Sequence, residues 1–311
     1  MRELSFTSAG GGSRKLRLHE PEGKPSAVVQ IVHGMAEHYA RYYPLAEALA
    51  AAGIAAAGHD HLGHGPDTPK EKLGYFAPQD GWQKLIDDVH HVHCLLKERY
   101  PDSRHILLGH SMGSFLAREY LLQHGGKGLD GLVLSGTTYM AAPMLNAAIP
   151  LAGAVCALGG AKKPSRLLHE LAFAKNNKPF RPNRTTFDWG STDEKQVDLY
   201  VSDPLCGFMF TGRGMHDMFI GLKKLTMLER LETLPDKDLP ILFISGEQDP
   251  VGGKNAQGPK TVAAQYKKAG CNDVTMQLYP KGRHEMFNEV NRGEVISNLI
   301  AWINRSNYSQ K

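Results

Sequence analysis

HILLGHSMGSFLAREYLLQHG, from His105 to Gly125, is the stretch whose reading decides the fold. Its first part is a short apolar run of strand length; its second is helical in pattern and stops at Gly125, a natural C-terminal cap. At the junction, Gly109-His110-Ser111-Met112-Gly113 fits G-x-S-x-G. A serine on so sharp a strand-to-helix turn projects its Oγ away from the backbone, and the turn closes only when the residues two positions away have almost no side chain. The helix N-terminus adds a positive dipole end and a backbone N–H aimed at developing negative charge. The context therefore points to Ser111 as a nucleophile rather than a structural turn.

Further runs of the same kind flank this one. Ala27 to Gly34, Gly53 to Gly58, Gly131 to Gly136, Pro240 to Asp249 and Val274 to Pro280 read as strands, alternating with helix-period segments. Leu85, Val89, Val92 and Leu96 mark one such helix, and Val295, Leu299, Trp302 and Ile303 the last. The expectation is an α/β fold with a mostly parallel central sheet covered by helices on both faces, ligands lying at the carboxyl ends of the strands. The interval from Ser135 to Pro240 is too long for one crossover helix. Residues 1–140 and 215–311 are expected to form the core and 141–214 an inserted cap, with a helix from about Met215 to Arg230 returning to the sheet.

A serine hydroxyl is a weak nucleophile at neutral pH, so a base must take its proton and a carboxylate must orient the base. In sheets carrying this turn the chain order is Ser, acid, His. Asp249 ends the strand PILFISGEQD, and His284 follows the last strand in PKGRHEMFNE. Glu247 is a competitor for the acid but lies nearer the turn glycine; Glu285 adjoins His284 and should point elsewhere, and His216 is the other histidine on a plausible rim. After the strand AVVQIV comes HGMAEH, where a second oxyanion donor is expected, so the backbone N–H groups of Met35 and Met112 are the candidate pair. His59 to Gly65, HDHLGHG, is dense in ligand types but lacks a convincing remaining ligand set, and a bracing turn is expected there rather than a metal site.

Composition fits an ordinary globular chain: 311 residues, 41% hydrophobic and 22% charged, with a formal net charge of +4 that gives no case for nucleic acid. The four Cys are scattered without C-x-x-C, as free thiols of a reducing cytoplasm would be, and the N-terminus lacks the apolar core of a secretory signal. Met140 to Gly160 carries no charge but holds Pro143, Pro150 and Gly153, which favours an apolar lining or lid over a membrane span. Lys162 to Arg184 follows with seven basic residues and the single acid Glu170, either a solvated loop or a contact for an anionic membrane surface.

Taken together, HGMAEHYARY (His33 to Tyr42), DHLGHG (Asp60 to Gly65), GHSMGS (Gly109 to Ser114), SGEQDPV (Ser245 to Val251) and GRHEMFNE (Gly282 to Glu289) resemble the α/β-hydrolases of the monoacylglycerol lipase and lysophospholipase group, the serine aminopeptidase-like hydrolases. Leu62 stands where those relatives usually have Arg. The resemblance implies a Ser111, Asp249 and His284 triad, an oxyanion hole at Met35 and Met112, and an elbow formed with Gly109, His110 and Gly113. It also implies hydrolysis of a small acyl ester, a monoacylglycerol or lysophospholipid, without metal or organic cofactor. An aminopeptidase or amidase using the same triad is the nearest rival, and a non-catalytic binding protein of this fold a more distant one.

Overall fold

Apolar runs without alternation call for a sheet buried on both faces. That is the architecture of the computed structural model, which describes residues 1–305. In chain order the elements are β1 (Arg2–Thr7), β2 (Ser13–His19), β3 (Ala27–Val32), α1 (Tyr43–Ala51), β4 (Ile54–His59), α2 (Gly81–Arg99), β5 (Arg104–His110), α3 (Met112–His124) and β6 (Gly131–Ser135). There follow α4 (Ala142–Val155), α5 (Arg166–Phe173), α6 (Glu194–Ser202), α7 (Gly212–Lys224), α8 (Glu229–Glu232), β7 (Ile241–Gly246), α9 (Gln257–Lys268), β8 (Val274–Tyr279) and α10 (Arg292–Asn304). The eight strands lie in the order β1-β2-β4-β3-β5-β6-β7-β8. All neighbours from β4 to β8 are parallel, whereas β2 runs antiparallel to both β1 and β4.

Successive residues of the central strands serve opposite cores, as the pleat demands. Ile106 and Leu108 pack with Leu45, Leu49 and Val295 from α1 and α10, while Leu107 between them packs with Leu85 and Leu116 from α2 and α3. The apolar face expected on Leu85, Val89, Val92 and Leu96 is that of α2, and each of those residues is buried. Helix α3 ends at Gly125, in the left-handed region at φ 64°, with its N–H donating to the Leu121 carbonyl.

Two elements differ from the reading of the sequence. The N-terminal residues form the hairpin β1–β2, whose signal was the alternation of Leu4 with Phe6 and Leu16 with Leu18 around Gly10 to Gly12. Its charged outer positions, such as Glu3 and Lys15, masked that period. The returning helix begins at Gly212, because the Thr211 side chain accepts from Gly214 N and caps it, and ends at Lys224; Arg230 belongs to the separate α8.

Helices α4 to α8 lie between β6 and β7. From Ala142 to Gly160 the chain is long and apolar enough to cross a membrane by length and composition, and 17% of its most apolar 18-residue window is buried. Leu145, Ala148 and Ala152 form its buried stripe, and Met144, Leu151 and Leu158 are exposed. Its end meets α7 closely: a Cβ on Gly212 would fall 2.7 Å from the Gly160 carbonyl oxygen.

On α7, burial of Asp217 pushes its carboxyl up to about 7 against the opposing pull of Arg213. The folded chain therefore holds a proton that the unfolded chain, with a carboxyl near about 4, has released, and the stability from this site is lost as pH rises from about 4 to about 7. Asp217→Asn is expected to raise the melting temperature at about pH 8 and to do so less at about pH 5. Thermal unfolding at the two pH values checks this, and an equal shift at both would contradict it.

Candidate active site

Ser111 sits between β5 and α3 with φ 52° and ψ −119°, a conformation that strains any residue with a side chain. The flanking glycines make it sterically feasible. A Cβ on Gly109 would fall 2.3 Å from the Gly113 carbonyl oxygen, and one on Gly113 would fall 2.0 Å from the Val32 and 2.6 Å from the His33 carbonyl oxygens. Ser111 N donates to the Ser135 carbonyl at 2.9 Å, and Ser114 holds the Ser111 carbonyl through its N–H at 2.9 Å and its hydroxyl at 2.6 Å. The turn is thus fixed from β6 as well as from α3.

The loops after β7 and β8 meet at Gly246, where a Cβ would fall 2.1 Å from the Gly282 carbonyl oxygen. This contact places Asp249, buried at 1% exposure, beside His284, whose Nδ1 lies 2.9 Å from Asp249 Oδ2. The other carboxylate oxygen of Asp249 accepts from Val251 N at 2.8 Å. Glu247 is exposed and has no part in this pair. Burial works against a charge on His284, but the Asp249 carboxylate outweighs it and raises the imidazole above its ordinary pKa. The ring of His110, adjacent in sequence to Ser111, stands 4.8 Å from that of His284. Burial and the neighbouring His284 lower His110 to about 4, so it stays neutral. Gly136 passes close to both, since its Cβ would lie 3.0 Å from either Cε1.

The third part of the site is the backbone after β3. A Cβ on Gly34 would come 3.2 Å from Ser111 Cβ, so this loop lies against the serine. Met112 is buried and Met35 half-buried. Ala36 has φ 53°, a second strained residue, and is held from both directions. Its N–H donates to His64 Nε2 at 3.2 Å, and its carbonyl accepts from Gly207 N at 2.9 Å and the Tyr200 hydroxyl at 3.1 Å. The His59–Gly65 turn therefore braces this loop: burial keeps His64 neutral, at about 4, as an acceptor, and Asp60 accepts from Tyr39 N and from Arg17, each at 2.7 Å. Leu62 is buried and packs toward Gly10.

His38, Asp203 and Cys206 bring ligand-type atoms within 4.8 Å of one another. His38 Nε2 and Asp203 Oδ2 are already bonded at 2.8 Å, so they satisfy one another without an ion. His216 lies on α7, with its Nε2 3.8 Å from where a Gly153 Cβ would be.

One network escaped the reading of the sequence. Arg41 pairs with Glu37 at 2.6 Å and with Glu285 at 2.8 and 2.5 Å, while Glu37 also accepts from Gly34 N and the Tyr42 hydroxyl. Burial pushes both carboxyls up, but Arg41 holds them below the ordinary range. Glu285 thus turns toward Arg41 and ties the His284 loop to the loop after β3. The spacing of Glu37 and Arg41, one helical turn apart, was the available signal.

The family described as "Serine aminopeptidase, S33" matches residues 23–291. The monoacylglycerol lipase of Mycolicibacterium smegmatis is 27% identical, covering 97% of this chain and 96% of its own. The monoglyceride lipase of Mus musculus is 26% identical over 96% and 89%. Among solved structures, a thermostable carboxyl esterase from Bacillus coagulans in complex with glycerol superimposes with a TM-score of 0.88 at 31% identity, over 97% of each chain.

Two outcomes follow from this geometry. The His284 imidazole, followed by NMR, is expected to titrate above about 6.5 in the native protein and below it in Asp249→Asn, where burial acts without the carboxylate. Equal titration in both would contradict the pairing. Gly113→Ala should cost more than about 4 kcal/mol in denaturant unfolding because backbone must move; a cost below about 1 kcal/mol would deny the close approach.

Proposed function

The chain belongs to the serine aminopeptidase S33 family of α/β-hydrolases, within the monoacylglycerol lipase and lysophospholipase group, and we propose that it hydrolyses carboxylic esters through an acyl-enzyme on Ser111. The observation that carries this reading is the buried Asp249–His284 pair, whose imidazole ring lies beside His110, next to a serine held in a strained strand-to-helix turn. His284 takes the Ser111 proton as Oγ attacks the ester carbonyl, and the backbone N–H groups of Met35 and Met112 receive the oxyanion. His284 then protonates the departing alcohol, and a water activated by the same imidazole releases the acid. Asp249 holds Nδ1 protonated so that Nε2 is the working nitrogen. No metal or organic cofactor enters these steps.

Residues 141–214 are the cap in this reading, and the substrate is a long-chain monoacylglycerol or lysophospholipid. The apolar stretch Ala142–Gly160 supplies a binding wall, since such pockets are mostly apolar with few polar groups. The names of the lipase relatives and of the glycerol-bound esterase support the same substrate class. Each buried CH₂ adds about 0.8 kcal/mol, so kcat/KM should climb with acyl length until the wall is covered. A cytoplasmic location accompanies this reading, and the free thiols Cys94, Cys156, Cys206 and Cys271 support it.

A peripheral membrane contact accompanies this reading because apolar and basic exposure coincide on the insertion. Leu158 is 90% exposed, Leu167 58% and Leu171 61%, next to Lys162, Lys163 and Arg166. An anionic bilayer supplies both an apolar phase and about 1 kcal/mol per nearby basic side chain.

Hydrolysis of p-nitrophenyl esters, monoacylglycerols, lysophosphatidylcholine and an aminoacyl anilide, with Ser111→Ala alongside, tests the activity. The expected outcome is preference for the long-chain glycerol ester and loss of at least about 10³-fold activity in the variant. A winning anilide would replace the ester with an amide substrate, and an active Ser111→Ala would remove the mechanism. In vesicle sedimentation, binding to anionic but not neutral lipid, abolished by salt, is expected; binding indifferent to lipid charge would remove the membrane contact.

A further inference from the structure

Resting on the reading of His284 as the base, we propose that Asp188–Thr192 of the insertion supports the loop carrying that base, with Trp189 and Glu289 as its positioning residues. A segment that only chose substrates would touch the loop lightly. This one is hydrogen-bonded along its length to the residues surrounding His284. Glu285 N donates to the Gly190 carbonyl at 2.8 Å, and the Ser191 hydroxyl donates to the Asn288 carbonyl at 2.9 Å. Arg283 reaches the carbonyls of both Asp188 and Ser191, and its guanidinium lies 4.1 Å from the centre of the Phe180 ring.

Glu289 joins the two sides. It is fully buried, and its carboxylate accepts from Arg283 N at 2.7 Å on the His284 side. On the insertion side it accepts from Thr192 N at 3.1 Å and from the Thr192 hydroxyl. A buried carboxylate is costly without such donors, so loss of the insertion's donors would leave this one poorly compensated. The loop around His284 is therefore built to be stable only with the insertion in place.

Trp189 adds a contact with the base itself. Its ring stands 5.2 Å from the His284 imidazole at 43°, and its backbone N–H is tied to Asn177 Oδ1 at 3.0 Å. Asp188 accepts from the N–H groups of Arg184 and Thr185 and from the Thr185 hydroxyl, so the turn beneath Trp189 is rigid before it meets the loop. The indole fixes the ring plane and shields it from water.

The test uses p-nitrophenyl acetate, whose short acyl group does not depend on an acyl-binding wall, and measures kcat and KM across pH. Trp189→Ala is expected to lower kcat on the order of tenfold, with KM within about twofold of the native value. Its acid limb should move to higher pH, because water reaching the imidazole favours the protonated form. Trp189→Phe should restore most of kcat, and Glu289→Gln should lower kcat in the same way as Trp189→Ala. A change confined to KM, or seen only with long acyl chains, would make Trp189 a wall of the substrate site and overturn the inference. Full kcat in His284→Ala would instead overturn the assignment of the base, a separate failure.

Discussion

The approach of Gly113 to the carbonyl groups of Val32 and His33 is the contact on which the rest of the arrangement depends. Because a Cβ added at Gly113 would lie only 2.0 Å from the Val32 oxygen, no other residue fits without moving β3 or α3. This closeness brings the start of α3 under the loop after β3 and leaves Ser111 at φ 52° between them. The strain at Ser111, of order 1–3 kcal/mol, is held by the packing of β3, β5 and β6 around it. In the proposed mechanism, chemistry at Ser111 draws on the rigidity of the sheet.

Two further loops are fitted to that fixed point by polar networks. Arg41 links Glu37, in the loop after β3, to Glu285, next to His284. The His59–Gly65 turn holds Ala36 from one side, and Tyr200 and Gly207 of the insertion hold its carbonyl from the other. In the proposed mechanism the oxyanion donors and the base thus share supports with the insertion. Preorganised donors and a fixed base matter because misplacement of reacting groups by about 1 Å can cost 10²-fold in rate.

The parts legible in the sequence were those governed by local rules. Gly109 and Gly113 announce the turn because their lack of side chains is a local steric demand, and β3, β5, β6 and β7 announce themselves as apolar runs because both faces are buried. Asp249 was preferred over Glu247 from its place at the strand end, and it is Asp249 that is buried against His284 while Glu247 is exposed. The edge hairpin β1–β2 was missed because one side faces water and its charges hide the period-two signal. The start of α7 at Gly212 was missed because its determinants are a Thr211 cap and contacts with Gly160 from a distant helix. Trp189 beside His284 left no trace in the local pattern, since 95 residues of chain separate the partners (284 − 189). A ring contact of that kind depends on where the insertion folds back.

Covalent chemistry at Ser111 is tested most directly by trapping the acyl-enzyme. Acid quenching during turnover of a long-chain p-nitrophenyl ester, followed by peptide mass spectrometry, should find the acyl mass on the peptide containing Ser111. The adduct should be absent from Ser111→Ala and should persist longer when His284 is replaced. A Ser111→Ala protein that keeps its turnover rate, or an acyl group found on another residue, would contradict covalent chemistry at Ser111.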